Sequence, residues 1–338
     1  MAALLAVTAT AVLLVGCGSS SKGSTPSGGN GTGADAGGTS VPLTVFQIKD
    51  GAWRVKVRAS VGGGPMVDMW LDTGSVGMFV DPKVIGTSTP TSNSESAQYE
   101  GFSLGGSIVS ATVTLGSSTS TVPVEVVSAT DVKANACSAG APCTVPDALG
   151  GLSGIIGIAT SNGDSIPKMG SPLLQAGGTW AQGWTLVMGS PPAGATNFAA
   201  TLELGAVGSP STAVAIPLTP VTGASGWQKD LQLCWTYGTS SPVCGPTDLD
   251  IGQQDVTFNV SAFTPSLPTG PQPAGTSVAL APPGGGALWS FTSGTTPSID
   301  LVTVSSRLSA ATMFNTGIGF FLGRTVAWDM VGHRVLVW

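Results

Sequence analysis

Asp72 stands between two apolar runs, Met69-Trp70-Leu71 before it and Val76-Gly77-Met78-Phe79-Val80 after it, with Thr73-Gly74-Ser75 making a sharp turn between them. A carboxylate carried inward by such strands is costly unless donors meet it. Thr73 and Ser75 bring hydroxyls, and Gly74 leaves its backbone N–H open, so the turn carries the groups that hold an ionised carboxylate. A carboxylate held in this way can do general acid or base work on a bound water.

The other acid/base groups are few. The 338-residue chain has one histidine, His333. A Ser-His-Asp or Cys-His enzyme needs its histidine beside the nucleophile, and zinc sites usually draw on several His or Cys ligands. Carboxylates are the main groups left for catalysis, and nothing in the sequence calls for a metal or a cofactor. Charged residues make up 9%, the net charge is −6 and the pI is near 4.6. With no basic cluster, nucleic acid is a poor partner.

The elements that must position Asp72 read as strands. Gly numbers 49, and long amphipathic helical patterns are missing; the composition is that of an all-β chain with many turns. Trp53-Arg54-Val55-Lys56-Val57-Arg58-Ala59 alternates apolar and polar residues with period two, a half-exposed strand. Gly62-Gly63-Gly64-Pro65 is a turn, and Met66 to Leu71 returns to Asp72. Further on, Gln98 to Ser107 leading into Ile108 to Gly116 looks like a hairpin with a Gly-rich bend. Trp184 to Gly189 and Ala200 to Gly205 read as two strands, and Leu231 and Leu233 alternate within Trp227 to Trp235.

The Asp72-Thr73-Gly74-Ser75 stretch, with a hairpin before it, resembles the first active-site loop of the pepsin-like aspartic proteases. Gly154-Ile155-Ile156-Gly157 resembles that family's apolar-apolar-Gly segment, which packs beneath the loop. Near the C-terminus, Gly317, Phe320, Trp328 and Asp329 fall on the positions of the family's closing segment. The resemblance implies an all-β bilobal fold with a cleft between two β-rich lobes. It also implies a second aspartate loop, and Leu249-Asp250-Ile251-Gly252 keeps the apolar-Asp-x-Gly frame a lobe further on. Asp72 and Asp250 are then the catalytic pair, with Thr73, Gly74, Ser75, Gly252 and Gln253 as site support. Tyr99, one of two tyrosines, is the candidate for the tyrosine of the flap that covers the cleft. At the second loop the middle Thr of the motif is Ile251, and the later hydroxyl is Gln253. His333, beside Gly332, reads as a hairpin-turn residue.

The start of the chain is of another kind. Met1 to Gly16 is almost wholly apolar or small and too short to span a bilayer, which is the character of a signal segment. It ends Leu14-Val15-Gly16-Cys17, which resembles the bacterial lipobox and implies lipid attachment at Cys17. Residues 18 to 40 are Gly, Ser, Thr, Asn and Ala with few interruptions, a tether of about 25–30 Å root-mean-square span. Cys137 and Cys143 bracket one short loop, and Cys234 and Cys244 another. Four cysteines allow three pairings, of which these two are the simplest; oxidation suits an exported chain.

The expected organisation is therefore a signal peptide at 1–16, a tether at 17–42, an N-terminal lobe at 43–190 and a C-terminal lobe at 191–338. The expected function is a membrane-tethered aspartic endopeptidase, an exported bacterial lipoprotein whose monomeric body lies outside the cytoplasm. It would act on peptides or proteins and touch the membrane only through its lipid. The changed second loop leaves open an alternative, a non-catalytic lipoprotein of the same fold that binds a peptide or protein partner.

Overall fold

The computed structural model describes residues 38–338 apart from 50, 139–141, 161–168, 222–225, 297–298 and 309–312. The signal segment, Cys17 and residues 18–37 of the tether lie outside the described residues. Two sheets dominate what is described, one of 15 strands and one of 8.

The alternation read in the sequence decides the first hairpin. Trp53, Val55, Val57 and Ala59 are buried, while Arg54, Lys56 and Arg58 alternate with them towards solvent. Gly62 and Gly63 turn the chain with φ of 60° and 70°, a conformation that favours glycine. The strand Val67–Asp72 then pairs back antiparallel, Val57 opposite Met69, so Asp72 arrives at its far end. The strand Thr39–Gln47 takes in the last residues of the stretch read as tether, and Val41 within it is fully buried.

The loop after Asp72 is clamped by a chain crossing. The strand Gly154–Ile158 inserts between Val67–Asp72, to which it is parallel, and Val76–Val80, to which it is antiparallel. Gly157 lies opposite both Asp72 and Gly77. A Cβ at Gly157 would stand 2.6 Å from Ser75 Oγ, so only glycine lets the crossing close. All residues of the inserted strand and of Val76–Val80 are buried, as strands covered on both faces are.

The second sheet repeats this plan. The strand Val243–Asp248 is parallel to Phe314–Asn315, with Asp248 opposite Asn315. Phe314–Asn315 is in turn antiparallel to Val256–Asn259. Around it Trp235, Phe258 and Phe314 pack edge-to-face and stacked, with centroids 5.3 to 5.8 Å apart. Such pairs stabilise beyond the area they bury.

The last strands do not stay with this second sheet. Arg324–Asp329 and Arg334–Val337 pair with each other, and Arg324–Asp329 pairs on its other side with Gly183–Met188, in the larger sheet. Trp184 lies opposite Trp328, the rings stacked 5.9 Å apart. His333, with φ 55°, turns between those last two strands. Cys137 pairs with Cys143 and Cys234 with Cys244, the latter directly across a strand pair. The Gly-rich bend read in the sequence resolves into two features. The hairpin turns at Glu100-Gly101, Gly101 having φ 85°. Gly105 and Gly106 lie inside the returning strand at a register shift, where a Cβ on Gly106 would stand 1.9 Å from the Ser128 carbonyl oxygen.

Candidate active site

The first loop meets its aspartate with the donors its sequence supplies. Gly74 N–H donates to Asp72 Oδ1 at 2.8 Å, and Ser75 Oγ donates to Oδ2 at 2.6 Å. Asp72 is only 5% exposed. Thr73 turns the other way: its hydroxyl donates to the Leu249 carbonyl at 2.7 Å and accepts from Ile251 N–H at 3.0 Å. It is a buried cross-link between the two aspartate loops.

The second loop reaches the same end by other means. Gly252 N–H and Gln253 N–H donate to Asp250 Oδ1 at 2.6 and 3.2 Å. Asn315 Nδ2 donates to Oδ2 at 2.8 Å, and Asp250 N–H donates to the Thr316 hydroxyl at 3.2 Å. Gln253 thus supports Asp250 through its backbone. Ile251, fully buried, packs in the core, so no hydroxyl there returns the bond that Thr73 makes.

The glycines bring the two carboxyls together. A Cβ on Gly74 would stand 2.3 Å from Asp250 Cγ, and one on Gly252 would stand 2.6 Å from Asp72 Oδ1. Each carboxyl lies over the other loop's glycine, close enough for the charge of Asp250 to act directly on Asp72. The Asp72 pKa is pushed up to about 7, first by burial and then by the charge of Asp250; the bonds from Ser75 and Gly74 pull the other way. Two carboxyls this close hold a proton between them and titrate as a unit.

Residues 39–327 match the family model of the PE-PGRS C-terminal aspartyl peptidase-like domain. The chain belongs to this family. Among solved structures it resembles the aspartic proteinase from Irpex lacteus, with a TM-score of 0.60 and 18% identity over 89% of this chain and 96% of that one. No curated protein matches. The fold is that of the pepsin-like aspartic proteases.

On this aspartyl peptidase-like domain Tyr99 ends the strand Thr89–Tyr99, at the tip of a long hairpin. Its ring stacks on Phe102 at 4.7 Å and meets Phe79 edge-on at 6.3 Å. Its buried hydroxyl lies above the ordinary phenol range because of burial and the Asp72 charge, with Ser75 opposing. A cleft of about 820 Å³ opens beside the hairpin tip, lined by Tyr99, Glu100 and Gly101 on one wall and Gln253, Arg307 and Asn315 on the other. Two of those residues, Gln253 and Asn315, also bond Asp250, so the cleft shares two residues with the support of that carboxyl, although neither aspartate lines it.

Sequence reasoning missed Asn315 and Thr316, whose roles depend on a chain crossing far along the sequence. It also passed over Asp248, although Asp248-Leu249-Asp250 places a second carboxylate two residues before the motif aspartate. Among the described residues no group of three or more His, Cys, Asp or Glu side chains is arranged to hold a metal ion. No described helix is long and apolar enough to cross a membrane.

Proposed function

We propose that this domain is an aspartic endopeptidase in which Asp72 and Asp250 share one proton and activate a water between them. The observation that carries the reading is the mutual approach of the two carboxyls, each over the glycine of the other loop. Asp250 faces three donors, Gly252 N–H, Gln253 N–H and Asn315 Nδ2, and suits the ionised member. Asp72, with its raised pKa, suits the protonated one.

In the reaction the water oxygen attacks the peptide carbonyl carbon while its proton passes to Asp250. Asp72 gives its own proton to the carbonyl oxygen, which becomes a hydroxyl instead of an oxyanion. The tetrahedral diol then collapses: the leaving nitrogen takes the proton from Asp250, the C–N bond breaks, and a hydroxyl proton returns to Asp72. An extended peptide under the Tyr99 hairpin would be held for attack, and Thr73 would keep the two loops in register.

The wider setting belongs to the same proposal. The apolar segment before Cys17 and the two disulfides support an exported lipoprotein. Its monomeric body, with lobes dividing near residue 190, would be tethered through the lipid at Cys17.

The test is cleavage of an unfolded protein at acidic pH by the wild type, Asp72→Asn and Asp250→Asn. Both substitutions abolish cleavage if the mechanism holds. Unchanged cleavage by Asp72→Asn refutes it, and a wild type that binds a protein partner without cleaving it favours the non-catalytic alternative. Cys17→Ala releasing the protein from the membrane fraction checks the tether.

A further inference from the structure

The hairpin tip beside the cleft is fixed from the larger sheet. Gln98 Nε2 donates to the carbonyls on either side of the turn, those of Tyr99 and Phe102, both at 2.9 Å. Asn135 N–H donates to the Gly101 carbonyl at 2.9 Å. Glu100, in the same turn, points its carboxylate into water and keeps its side chain 68% exposed.

The opposite wall is fixed from the second sheet. The strand Val302–Ser305 runs parallel to Val256–Asn259, and Arg307 follows it. Arg307 N–H donates to Ser305 Oγ at 3.0 Å, and Asn259 Nδ2 donates to the Leu308 carbonyl at 2.7 Å. The backbone is thus held on both sides of Arg307. Val256–Asn259 also pairs with Phe314–Asn315, the strand whose Asn315 bonds Asp250.

Between these two fixed posts Arg307 Nη1 donates to Glu100 Oε1 at 3.1 Å. Two long side chains make this link from wall to wall. The other charged residues lining the cleft are engaged on their own walls, Lys133 with Asp131 at 3.5 Å and Asp255 by the Thr303 hydroxyl at 2.7 Å. The Arg307 side chain is 76% exposed. An ion pair so open to water adds little to stability and parts readily.

We propose that Glu100 and Arg307 form a strap across the mouth of the cleft, which an internal segment of a long polypeptide must part before it can enter, whereas a short peptide can pass beneath it end first. This deepens, and rests on, the peptidase reading of the cleft. A stretch of chain laid in from the open side meets the strap across its path, and a free end does not. When the two side chains swing apart, water takes up their hydrogen bonds and neither backbone post has to move.

The test compares kcat/KM on casein with kcat/KM on a short peptide cut from it around one scissile bond. The proteins are the wild type, Glu100→Gln, Arg307→Gln and the charge swap Glu100→Arg with Arg307→Glu. The casein-to-peptide ratio rises in each single variant, by up to about 5-fold, and falls back in the swap. The two single substitutions change the charge of the cleft in opposite senses, so electrostatic steering of substrate would move them apart, whereas loss of the strap moves both the same way. Raising salt from about 0.02 to 0.5 M screens an exposed pair, so the wild-type ratio rises and those of the single variants do not follow. A ratio unmoved in Glu100→Gln and Arg307→Gln, or moved in opposite directions, overturns the inference. The association rates of labelled casein and labelled peptide with Asp72→Asn, with and without Glu100→Gln, read the strap without turnover. A wild type that cleaves with an unmoved ratio keeps the peptidase reading and loses this one. An inactive wild type, with casein association alone hastened by Glu100→Gln, does the reverse.

Discussion

The Thr73 hydroxyl accepts a hydrogen bond from Ile251 N–H at 3.0 Å while donating to the Leu249 carbonyl at 2.7 Å. One side chain therefore joins the two aspartate loops, and nothing returns the bond from the other side, where Ile251 packs in the core. Thr73 thus sets the register of the two loops, while the carboxyls themselves are held by Gly74 and Ser75 on one side and by Gly252, Gln253 and Asn315 on the other.

Thr73→Val keeps the shape and removes that cross-link. It strands two buried backbone groups, each worth about 1–3 kcal/mol when left unpaired, with no second hydroxyl to take over. We expect a stability loss of about 2–4 kcal/mol, read by urea denaturation. Thr73→Ser, which keeps the hydroxyl, recovers most of it.

Gly74→Ala tests the approach of the two carboxyls. The added methyl would stand 2.3 Å from Asp250 Cγ, so the carboxyl must leave. Cleavage falls at least about 100-fold, as it does when a general base is lost. Gly63→Ala, at a positive-φ turn with nothing within 4 Å of the added Cβ, leaves activity intact. Peptide cleavage assays with circular dichroism as a check on folding decide the matter.

The raised pKa of Asp72 sets a pH dependence whose sign can be worked out. The folded protein holds the Asp72 proton to about 7, against an ordinary value of 3.8. Between those values the native state binds more protons than the unfolded one, so this residue makes stability fall as pH rises. Asp72→Asn removes that slope: its Tm exceeds the wild type's by more at pH ~7 than at pH ~4. For cleavage, loss of the Asp72 proton puts the basic limb of the wild-type profile near 7.

Tyr99→Phe keeps the ring packed on Phe102 and Phe79 and removes a buried hydroxyl that faces Ser75 without a close hydrogen bond. Stability changes by less than about 1 kcal/mol, since no made bond is lost. Tyr99→Ala empties the space beside the cleft and raises KM more than it lowers kcat. Steady-state kinetics on one peptide separates the two variants.

Much of the fold was legible because local patterns and tertiary demands agree. The period-two alternation of Trp53 to Ala59 is a strand with its apolar face inward. Gly157, read only as part of a short motif, sits where the crossing admits no Cβ. The Gly-rich bend between Gln98 and Ser107 left the turn's place open, because glycine serves a turn and a close backbone approach equally well, and only the neighbouring strand at Ser128 separates Gly101 from Gly106. The changed second loop looked weaker in sequence than its geometry is. Its missing hydroxyls are replaced by backbone N–H groups, which every sequence carries, and by Asn315, which a distant strand delivers.

By itself the sequence determined that a carboxylate would be carried inward at Asp72 with its own donors beside it, because three consecutive residues and two flanking strands suffice for that. It also determined that a second Asp-x-Gly frame lay at Asp250. Only the tertiary structure decided that the two meet, that Thr73 joins their loops, and that Asn315 and Thr316 stand beside Asp250. These relationships join residues brought together by strand crossings, and hydrogen bonding and electrostatics depend on distance in space, which separation along the chain does not specify.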